Sequence, residues 1–597
     1  MTIEIAFLFL LFILTAVVLI KEWLRPDLAA LLLLVVLGLT GLVSAEELFN
    51  GFSRSAVITI IALFIITDAL ERTGATRVLG QSLQRLAAGS EARTILVVML
   101  ATAVLSLFMN TIAAAAVLLP AVIGISRHGK LRASKLLIPL SFGSLLGGMA
   151  TLFTTANILV SNALAERGYA PYGVLDFLPV GLPMAAAGIF FIALIGRRLL
   201  PDRERESEAS LRPGANLSEA YKMQDMVRSV YVLPGSPMAG LSLETGGWGE
   251  RLGLNVLGIS RGGQVRFAPS STEAVREGDV ILFTGQVDDI ELQSFGLIFT
   301  TDPTWDGQLA DEDISLVEVT LAPRSQLAGK TLREIEFRDR YHLTVLAIWR
   351  EDKTIREALG EIPLRFGDAL LMQGRRDHIR LLRRNPNFLV LEEDAGKAEI
   401  TNKTRWAVGL TALAVLLPAL NLLPIAESTF AAAILMVLLG CLTMDEAYAA
   451  IEWKAVFLIA GMLPLGLAMT NTGAAAYVGT LLVNTLGGLG PLAVVGGLFV
   501  VTTLFTQVLS GQVTPVVLAP IAIAAAEKLD VDVRGVAMAV ALGCSMAFLT
   551  PISHSANMLV LGPGNYKFGD YARVGLPLTL VLFGVLLAGL ALAWGIH

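Results

Sequence analysis

The chain carries the same membrane segment twice, and that duplication limits what it can fold into more than any other feature. Residues 46–183 and 445–577 align at an offset of 399 to 400, and the matches fall where membrane helices would break. Glu47 matches Glu446, Thr73-Gly74-Ala75 matches Thr472-Gly473-Ala474, and Pro120 matches Pro520. Ala156-Asn157-Ile158-Leu159-Val160 matches Ala556-Asn557-Met558-Leu559-Val560, and Gly181-Leu182-Pro183 matches Gly575-Leu576-Pro577 after a short deletion. A duplicated hydrophobic block interrupted by Gly and Pro points to a secondary transporter whose binding site lies where the copies meet.

With a mean hydropathy of +0.68 and only 16% charged residues, the 597-residue chain reads as an α-helical polytopic membrane protein. Cys441 and Cys544 both sit in apolar runs and offer neither a disulfide nor a metal framework. The apolar first twenty residues have no basic segment before them and no small-residue cleavage site after, so a retained span is expected. A phosphate-binding loop, a His/Cys metal spacing and a nucleophile elbow are all missing, and nothing suggests nucleic-acid binding, so an enzyme is not expected.

Spans are expected near 3–20, 28–43, 56–70, 134–164 and 177–196, and again near 406–423, 428–443, 455–470, 535–565 and 573–595. Two longer apolar stretches, 94–126 and 490–526, have a polar interruption at mid-length and read either as two spans or as re-entrant hairpins. Basic residues collect on one side: Lys21, Arg25, Arg72, Arg77, Arg85, Arg93, Arg127, Lys130, Arg132, Lys135, Arg197, Arg198, Lys567 and Arg573. The other side keeps Arg54, Arg167, Lys528 and Arg534. Both ends of 94–126 are therefore cytoplasmic and both ends of 490–526 external, which makes five net crossings per half. The expected fold is two inverted repeats of five spans plus a re-entrant hairpin each, residues 1–198 and 403–597, with both termini outside.

Residues 199–402 contain no span and follow Arg197-Arg198, which places them in the cytoplasm. After a linker at 199–225 they repeat at an offset of 89: Gly240 with Gly329, Val256-Leu257 with Val345-Leu346, Gly278-Asp279 with Gly367-Asp368, and Gly285 with Gly374. Two small α+β domains, 226–300 and 313–394, are expected, each reading as strand, short helix, then strands closed by the Gly-Asp turn. Gly235-Ser236-Pro237-Met238-Ala239-Gly240 and Arg324-Ser325-Gln326-Leu327-Ala328-Gly329-Lys330 resemble the C-terminal domain of TrkA, a regulatory module of potassium transport. The resemblance implies a homodimer and a small-molecule ligand; a dimerising scaffold without ligand stands beside it.

In each half, two polar interruptions converge. The hairpin tips read Met109-Asn110-Thr111 and Ser510-Gly511-Gln512-Val513-Thr514. The broken spans read Gly147-Gly148-Met149-Ala150-Thr151 with Thr154-Thr155-Ala156-Asn157, and Thr550-Pro551-Ile552-Ser553-His554-Ser555-Ala556-Asn557. Breaking a helix at membrane depth frees carbonyls for a hard cation and N–H groups for an anion. With no Lys or Arg at the centre of these spans, an anion would be held by dipoles, hydroxyls and amides beside a co-bound cation. Such residues also serve simply as packing and hydrogen-bond glue.

This layout resembles the divalent anion:sodium symporter family, within the superfamily of citrate and arsenite carriers, over the membrane part of the chain. The resemblance puts Asn110 and Thr111 on the first hairpin motif and Ser510 on the second. It puts Thr151, Thr154, Thr155 and Asn157 on the first broken helix, and Thr550, Ser555 and Asn557 on the second. Substrate contact is expected at Asn110, Thr111, Thr155, Asn157, Ser510, Gln512, His554, Ser555 and Asn557. Sodium is expected at Asn110, Thr151, Thr154, Ser510, Thr514, Thr550 and Asn557. The chain departs from the pattern at Met109, where Ser is usual, and at Gly511-Gln512. The implied function is sodium-coupled symport of sulfate or a dicarboxylate at a bacterial-type inner membrane, with sodium as coupling ion and no cofactor. A ligand-gated channel or nutrient sensor is the second reading, and a proton-coupled carrier or exchanger the third.

His554 reads either as an anion or proton contact or as a neutral ring donating one structural hydrogen bond. Asp68 reads as half of a helix-end ion pair with Arg72, and Glu47 and Glu446 as caps.

Overall fold

The computed structural model describes residues 2–21, 23–75, 90–128 and 131–203, most of 227–390, and 402–597. Arg77, Arg85, Lys130, Arg324, most of the 199–225 linker and the 301–313 linker lie outside the described residues, as do the side chains of Arg127 and Ser510.

The membrane part is helical. Its first half comprises α1 (Ile3–Ile20), α2 (Pro26–Leu39), α3 (Ser55–Arg72), α4 (Glu91–Ser106), α5 (Thr111–His128), α6 (Ala133–Gly148), α7 (Thr155–Glu166) and α8 (Leu178–Leu194). The second comprises α9 (Thr404–Ala419), α10 (Ile425–Leu438), α11 (Trp453–Asn471), α12 (Ala474–Leu486), α13 (Pro491–Leu529), α14 (Val533–Gly543), α15 (Ser555–Leu561) and α16 (Phe568–Trp594). The helices share one contiguous apolar core. The segments Ile3–Ile20, Trp453–Asn471, Pro491–Leu509, Gly511–Leu529 and Phe568–Trp594 are each long and apolar enough to cross a bilayer.

Residues 91–128 fold back on themselves. Glu91, at the start of α4, lies 3.8 Å from Lys135 at the start of α6. Ser106 and Thr111, at the far end, both border Gly148 at the end of α6. Glycines let α6 lie directly on the α4 backbone: a Cβ on Gly143 would sit 2.9 Å from Met99 Cα, and one on Gly147 2.6 Å from Ala103 Cα.

The counterpart, α13, is helical over the 39 residues Pro491–Leu529. It is nevertheless not straight. Leu486 packs on Gly497, while a Cβ on the adjacent Gly487 would lie 3.9 Å from Leu529 Cδ2. A straight helix would hold positions 497 and 529 about 48 Å apart at 1.5 Å per residue. The chain must therefore reverse near Ser510, between the arms Pro491–Leu509 and Gly511–Leu529. Pro515 and Pro520 lie in the returning arm and withdraw the donors that would bond Gly511 and Val516. The short helix α12 was not anticipated from hydropathy; at 13 residues it is too short to span. The matching positions of the first half, 75–87, lie outside the described residues except for Ala75.

The two broken spans run in opposite directions. α6 starts beside the end of α8, where Lys135 Nζ donates to Arg197 O at 3.1 Å and Leu200 O at 3.2 Å. The start of α16 is there too: Tyr566 Oη donates to Ser134 O at 2.8 Å. α14 starts at the other end of the same two helices. Arg534 pairs with Asp176, just before α8, and its guanidinium lies 5.2 Å from the Trp594 ring at the end of α16.

At the ends of spans, Ser44 and Glu47 cap the short helix Ala45–Leu48, and Thr443 and Glu446 form a capping box on Met444–Ala450. Asp68 pairs with Arg72, which also reaches Glu446 at 2.8 Å.

The insert contains two five-stranded antiparallel sheets. The first is built from β1 (Arg228–Val232), β2 (Asn255–Arg261), β3 (Gln264–Phe267), β4 (Val280–Thr284) and β5 (Leu297–Thr300), in the order β3-β2-β4-β1-β5. The second comprises β6 (Ile314–Leu321), β7 (Leu343–Arg350), β8 (Lys353–Ile355), β9 (Ala369–Arg375) and β10 (Phe388–Val390), in the order β10-β6-β9-β7-β8. Shifting the first sheet by 89 residues reproduces the second order, and the register slips at the same place, Val256/Gly258 and Val345/Ala347. The short helix expected after the first strand appears in the second unit alone, as Phe337–Tyr341; among the described residues the first unit crosses that stretch in turns. Nor does the Gly-Asp turn close the unit. It leads into the central strand, and its aspartate is buried against a bidentate arginine: Arg261 on Asp279 at 2.8 and 2.7 Å, Arg350 on Asp368 at 2.7 and 2.6 Å.

The insert is anchored to the membrane part. Arg203 donates to Asn565 O at 3.0 Å and grips Asp570 at 2.6 and 3.0 Å. The Gly-Asp turn of the second unit lies on the loop after α15, where a Cβ on Gly562 would collide with Gly367 O.

Candidate functional site

The first centre forms where α6 stops at Gly147-Gly148 and α7 restarts at Thr155. Two consecutive glycines weaken the helix, and Thr154 takes the extended N-cap conformation. Asn157, fully buried in the first turn of α7, reaches back over its own N-terminus. Its Nδ2 donates to Thr151 O at 2.6 Å and Gly148 O at 3.4 Å, which fixes the intervening loop. Gly148 is the meeting point: a Cβ there would lie 2.6 Å from Thr154 Cγ2, 3.4 Å from Thr111 Oγ1 and 3.7 Å from Ser106 Oγ. Thr151 Oγ1 donates to Leu107 O at 3.4 Å, tying the loop to the hairpin tip. Asn110 Oδ1 accepts the Ile112 N–H at 2.9 Å and so acts as cap of α5. Ser106 Oγ, Thr154 Oγ1 and Asn157 Oδ1 are buried and have no hydrogen-bond partner.

The second centre repeats this plan between α14 and α15. Asn557 is also fully buried, and its Nδ2 donates to Ala547 O at 2.6 Å and Thr550 O at 3.3 Å. These acceptors are the counterparts of Gly148 and Thr151 at the repeat offset. Each loop is also pressed by a glycine from the following long helix. A Cβ on Gly181 would lie 2.8 Å from the Met149 carbonyl carbon, and one on Gly575 2.6 Å from that of Phe548. The environments then diverge. Asn557 Oδ1 accepts from Ser141 Oγ of α6 at 2.6 Å, and Tyr571 Oη donates to Asn557 O at 2.7 Å. His554 makes a structural hydrogen bond as acceptor, its Nδ1 taking the Ala556 N–H at 3.1 Å. Thr550 Oγ1 is buried without a partner and Thr514 is buried in the returning arm of α13. Ser555 opens α15, Thr155 opens α7, and both are half-buried, as is Gln512. Ser510 belongs to α13, with its side chain outside the described residues.

The two centres adjoin. Ser141 joins them through α6, and the Phe142 and Phe548 rings pack edge-on with centroids 4.8 Å apart. The groups that bound both centres are neutral.

Sequence reasoning missed three residues. Ser106, one turn before Met109, brings a hydroxyl toward the place where the motif lacks its serine. Ser141 lies mid-helix, with nothing in its neighbours to mark it. Gln507 is the third: its Nε2 donates to Met546 O at 2.6 Å and Thr503 O at 3.0 Å, and its Oε1 accepts the Leu549 N–H at 3.1 Å. A glutamine in an otherwise apolar arm was the available signal.

Comparison with known proteins gives a consistent picture. Residues 10–543 match the family model described as citrate transporter. The chain is 33% identical to an uncharacterized transporter of Synechocystis over 95% of this chain and 93% of the relative. It is also 33% identical to an uncharacterized transporter of Escherichia coli strain K12, over 94% of each. A probable sodium/sulfate cotransporter of Chlamydomonas reinhardtii is 22% identical over 95% of this chain and 86% of the relative.

Proposed function

The chain belongs to the citrate transporter family, and from that premise we propose that it is a secondary active carrier of a small oxyanion, sulfate or a dicarboxylate, driven by sodium symport. The observation that carries the reading is the pair of asparagine-clamped loops, Asn157 on Gly148 and Thr151, Asn557 on Ala547 and Thr550. Each clamp holds a broken helix open and aims its backbone dipoles at a neutral interior. The starts of α5 and α7 at the first centre suit an anion, while the Ser106 and Thr111 hydroxyl oxygens beside Gly148 suit a cation. Ions of opposite charge at adjoining positions offset each other, so each binds better with the other present.

The two halves act as an inverted repeat, a reading supported by the opposed directions of α6 and α14. Access alternates as the hairpin-bearing core rocks or slides against the outer spans. The insert lies in the cytoplasm of a bacterial-type cell, its two TrkA-C-like domains, 226–300 and 313–394, joining the carrier into a homodimer and taking a small-molecule ligand that tunes the rate. The resident lipid bilayer covers α1, α9 and α10, which expose Leu10, Ile13, Leu416 and Leu438.

The test is uptake of labelled sulfate and succinate by full-length protein in liposomes, with and without an inward sodium gradient. Saturable uptake that collapses without the gradient is expected, and Asn110→Ala and Asn557→Ala should abolish it in folded protein. Fast conductance uncoupled from sodium would refute the carrier reading.

A further inference from the structure

The carrier reading requires the core of hairpins and broken helices to move against the outer spans α3 and α11, so a side chain that bridges the two restrains that motion. Such bridges are in place at the face where α14 starts, opposite the insert's anchor. Arg54, the residue before α3, pairs with Glu166 at the end of α7 at 3.1 Å. Asn162, one turn earlier on α7, donates to the same Glu166 oxygen at 2.7 Å and so fixes the carboxylate that meets Arg54. Arg167 donates to Thr470 Oγ1, near the end of α11, at 3.0 Å.

Beside these bridges the seam is incompletely filled. A cavity of about 60 Å³ lies between α7, α11 and the returning arm of α13, bordered by Leu159, Ala163 and Leu463 as well as by Glu166, Arg167 and Thr470. A close-packed interior has few voids of that size, and the gap forfeits part of the dispersion attraction that would otherwise hold the seam.

The insert's face is built differently. At the repeat offsets Arg54 corresponds to Trp453 and Glu166 to Tyr566, so the ion pair has no charged counterpart there. Trp453 is 45% exposed, while Tyr566 is buried and turned into the core, donating to Ser134 O at 2.8 Å. α7 packs on α3, whereas its equivalent α15 packs on α5 and α6 within the core.

Building on the carrier reading, we propose that Arg54 and Glu166, seconded by Arg167 and Thr470, latch the face opposite the insert, and that this latch parts before substrate enters from that face. Weakening it moves population from the closed to the open state, and an anion that binds the open state binds in proportion to that population. Arg54 and Glu166 are positioning residues: they lie at helix ends, away from both centres, and act on access.

The experiment uses full-length protein in right-side-out membrane vesicles, with Cys441 and Cys544 replaced by serine and Ala163→Cys introduced beside the cavity. Labelling by a membrane-impermeant maleimide is timed, beside sodium-driven uptake of labelled sulfate and succinate. Glu166→Gln and Arg54→Gln are each expected to speed labelling about threefold or more, the effect of losing a half-buried ion pair, and to lower the KM for anion added outside by a similar factor. A merely structural role would lower the maximal rate and leave KM where it was. Exchanging the charges, Arg54→Glu with Glu166→Arg, should return labelling toward the parent rate. Labelling unchanged by both single variants, or left fast by the exchanged pair, would overturn the latch while leaving symport intact. If one single variant does not fold, the other and Thr470→Val read the same contrast. A parent that takes up neither anion would overturn the carrier reading, and the labelling rates still decide whether the latch exists.

Discussion

Gly575→Ala tests whether backbone geometry in the broken loops sets substrate affinity. Gly575 faces the Phe548 carbonyl from α16, and an added Cβ would stand 2.6 Å from the carbonyl carbon. Attractive contact between two carbons begins at about 3.5 Å, so the loop would have to recede by about 0.9 Å. The neighbouring Ala547 O accepts from Asn557 Nδ2 at 2.6 Å, and a displacement of that size carries the bond to the edge of useful geometry. Overpacking of a dense interior costs about 1–3 kcal/mol and a lost hydrogen bond about 0.5–1.5 kcal/mol. Together these disfavour the clamped loop by about 2–4 kcal/mol, so if substrate requires that conformation its KM rises by more than about tenfold. The assay is sodium-driven sulfate uptake in liposomes, with size-exclusion profiles to check that the protein is folded. Gly181→Ala, which meets the Met149 carbonyl in the first half, should behave alike. A folded Gly575→Ala protein with KM within about twofold of the parent would refute the claim that the loop must hold this shape.

Two further outcomes follow from local contacts. Gln507→Leu keeps volume and removes the amide, stranding Met546 O and Leu549 N in a buried loop. A lower melting temperature in detergent and a loss of about 1–3 kcal/mol are expected, and unchanged melting would mean the loop finds other partners. Gly562→Ala places a Cβ against Gly367 O and should undock the second insert unit. Hydrogen exchange should then rise at residues 365–369 and 562–566 without loss of the helical core; unchanged exchange would mean the turn is not held there.

Much of the membrane plan was legible because its determinants are local. Gly147-Gly148 and Thr550-Pro551 mark breaks through helix propensity, and the recurring Ala-Asn pairs at 156–157 and 556–557 mark the clamps. The insert's strand order followed the 89-residue repeat, but its arginine partners, Arg261 and Arg350, lie 18 residues from their aspartates and give no spacing signal. Ser141 was invisible for the same reason: its partner Asn557 is 416 residues away. The tip of α13 was legible as the polar interruption Ser510-Gly511-Gln512, and the approach of Gly487 to Leu529 shows the two arms reversing there. Of the two readings of His554, the structure shows a structural hydrogen bond with its direction reversed: the N-cap of α15 needs an acceptor for the Ala556 N–H, and Nδ1 supplies one.

Both duplications in this chain are followed by divergence at one copy, and the divergences sit next to each other. In the insert, the Gly278-Asp279 turn of the first unit faces its own Tyr231, with a Cβ on Gly278 falling 3.8 Å from Tyr231 Oη. Its duplicate at Gly367-Asp368 lies instead on Gly562, one residue past α15. In the membrane part, α15 bears Asn557, the clamp whose oxygen is taken up by Ser141, while the first-half clamp keeps its oxygen unpaired. The insert thus bears on the second half, one residue past the helix that carries Asn557. Since α15 is a continuous helix of 7 residues and Asn557 is bonded to Ser141 of α6, an unbroken line of contacts runs from the second insert unit to α6, whose other end borders the first centre at Gly148.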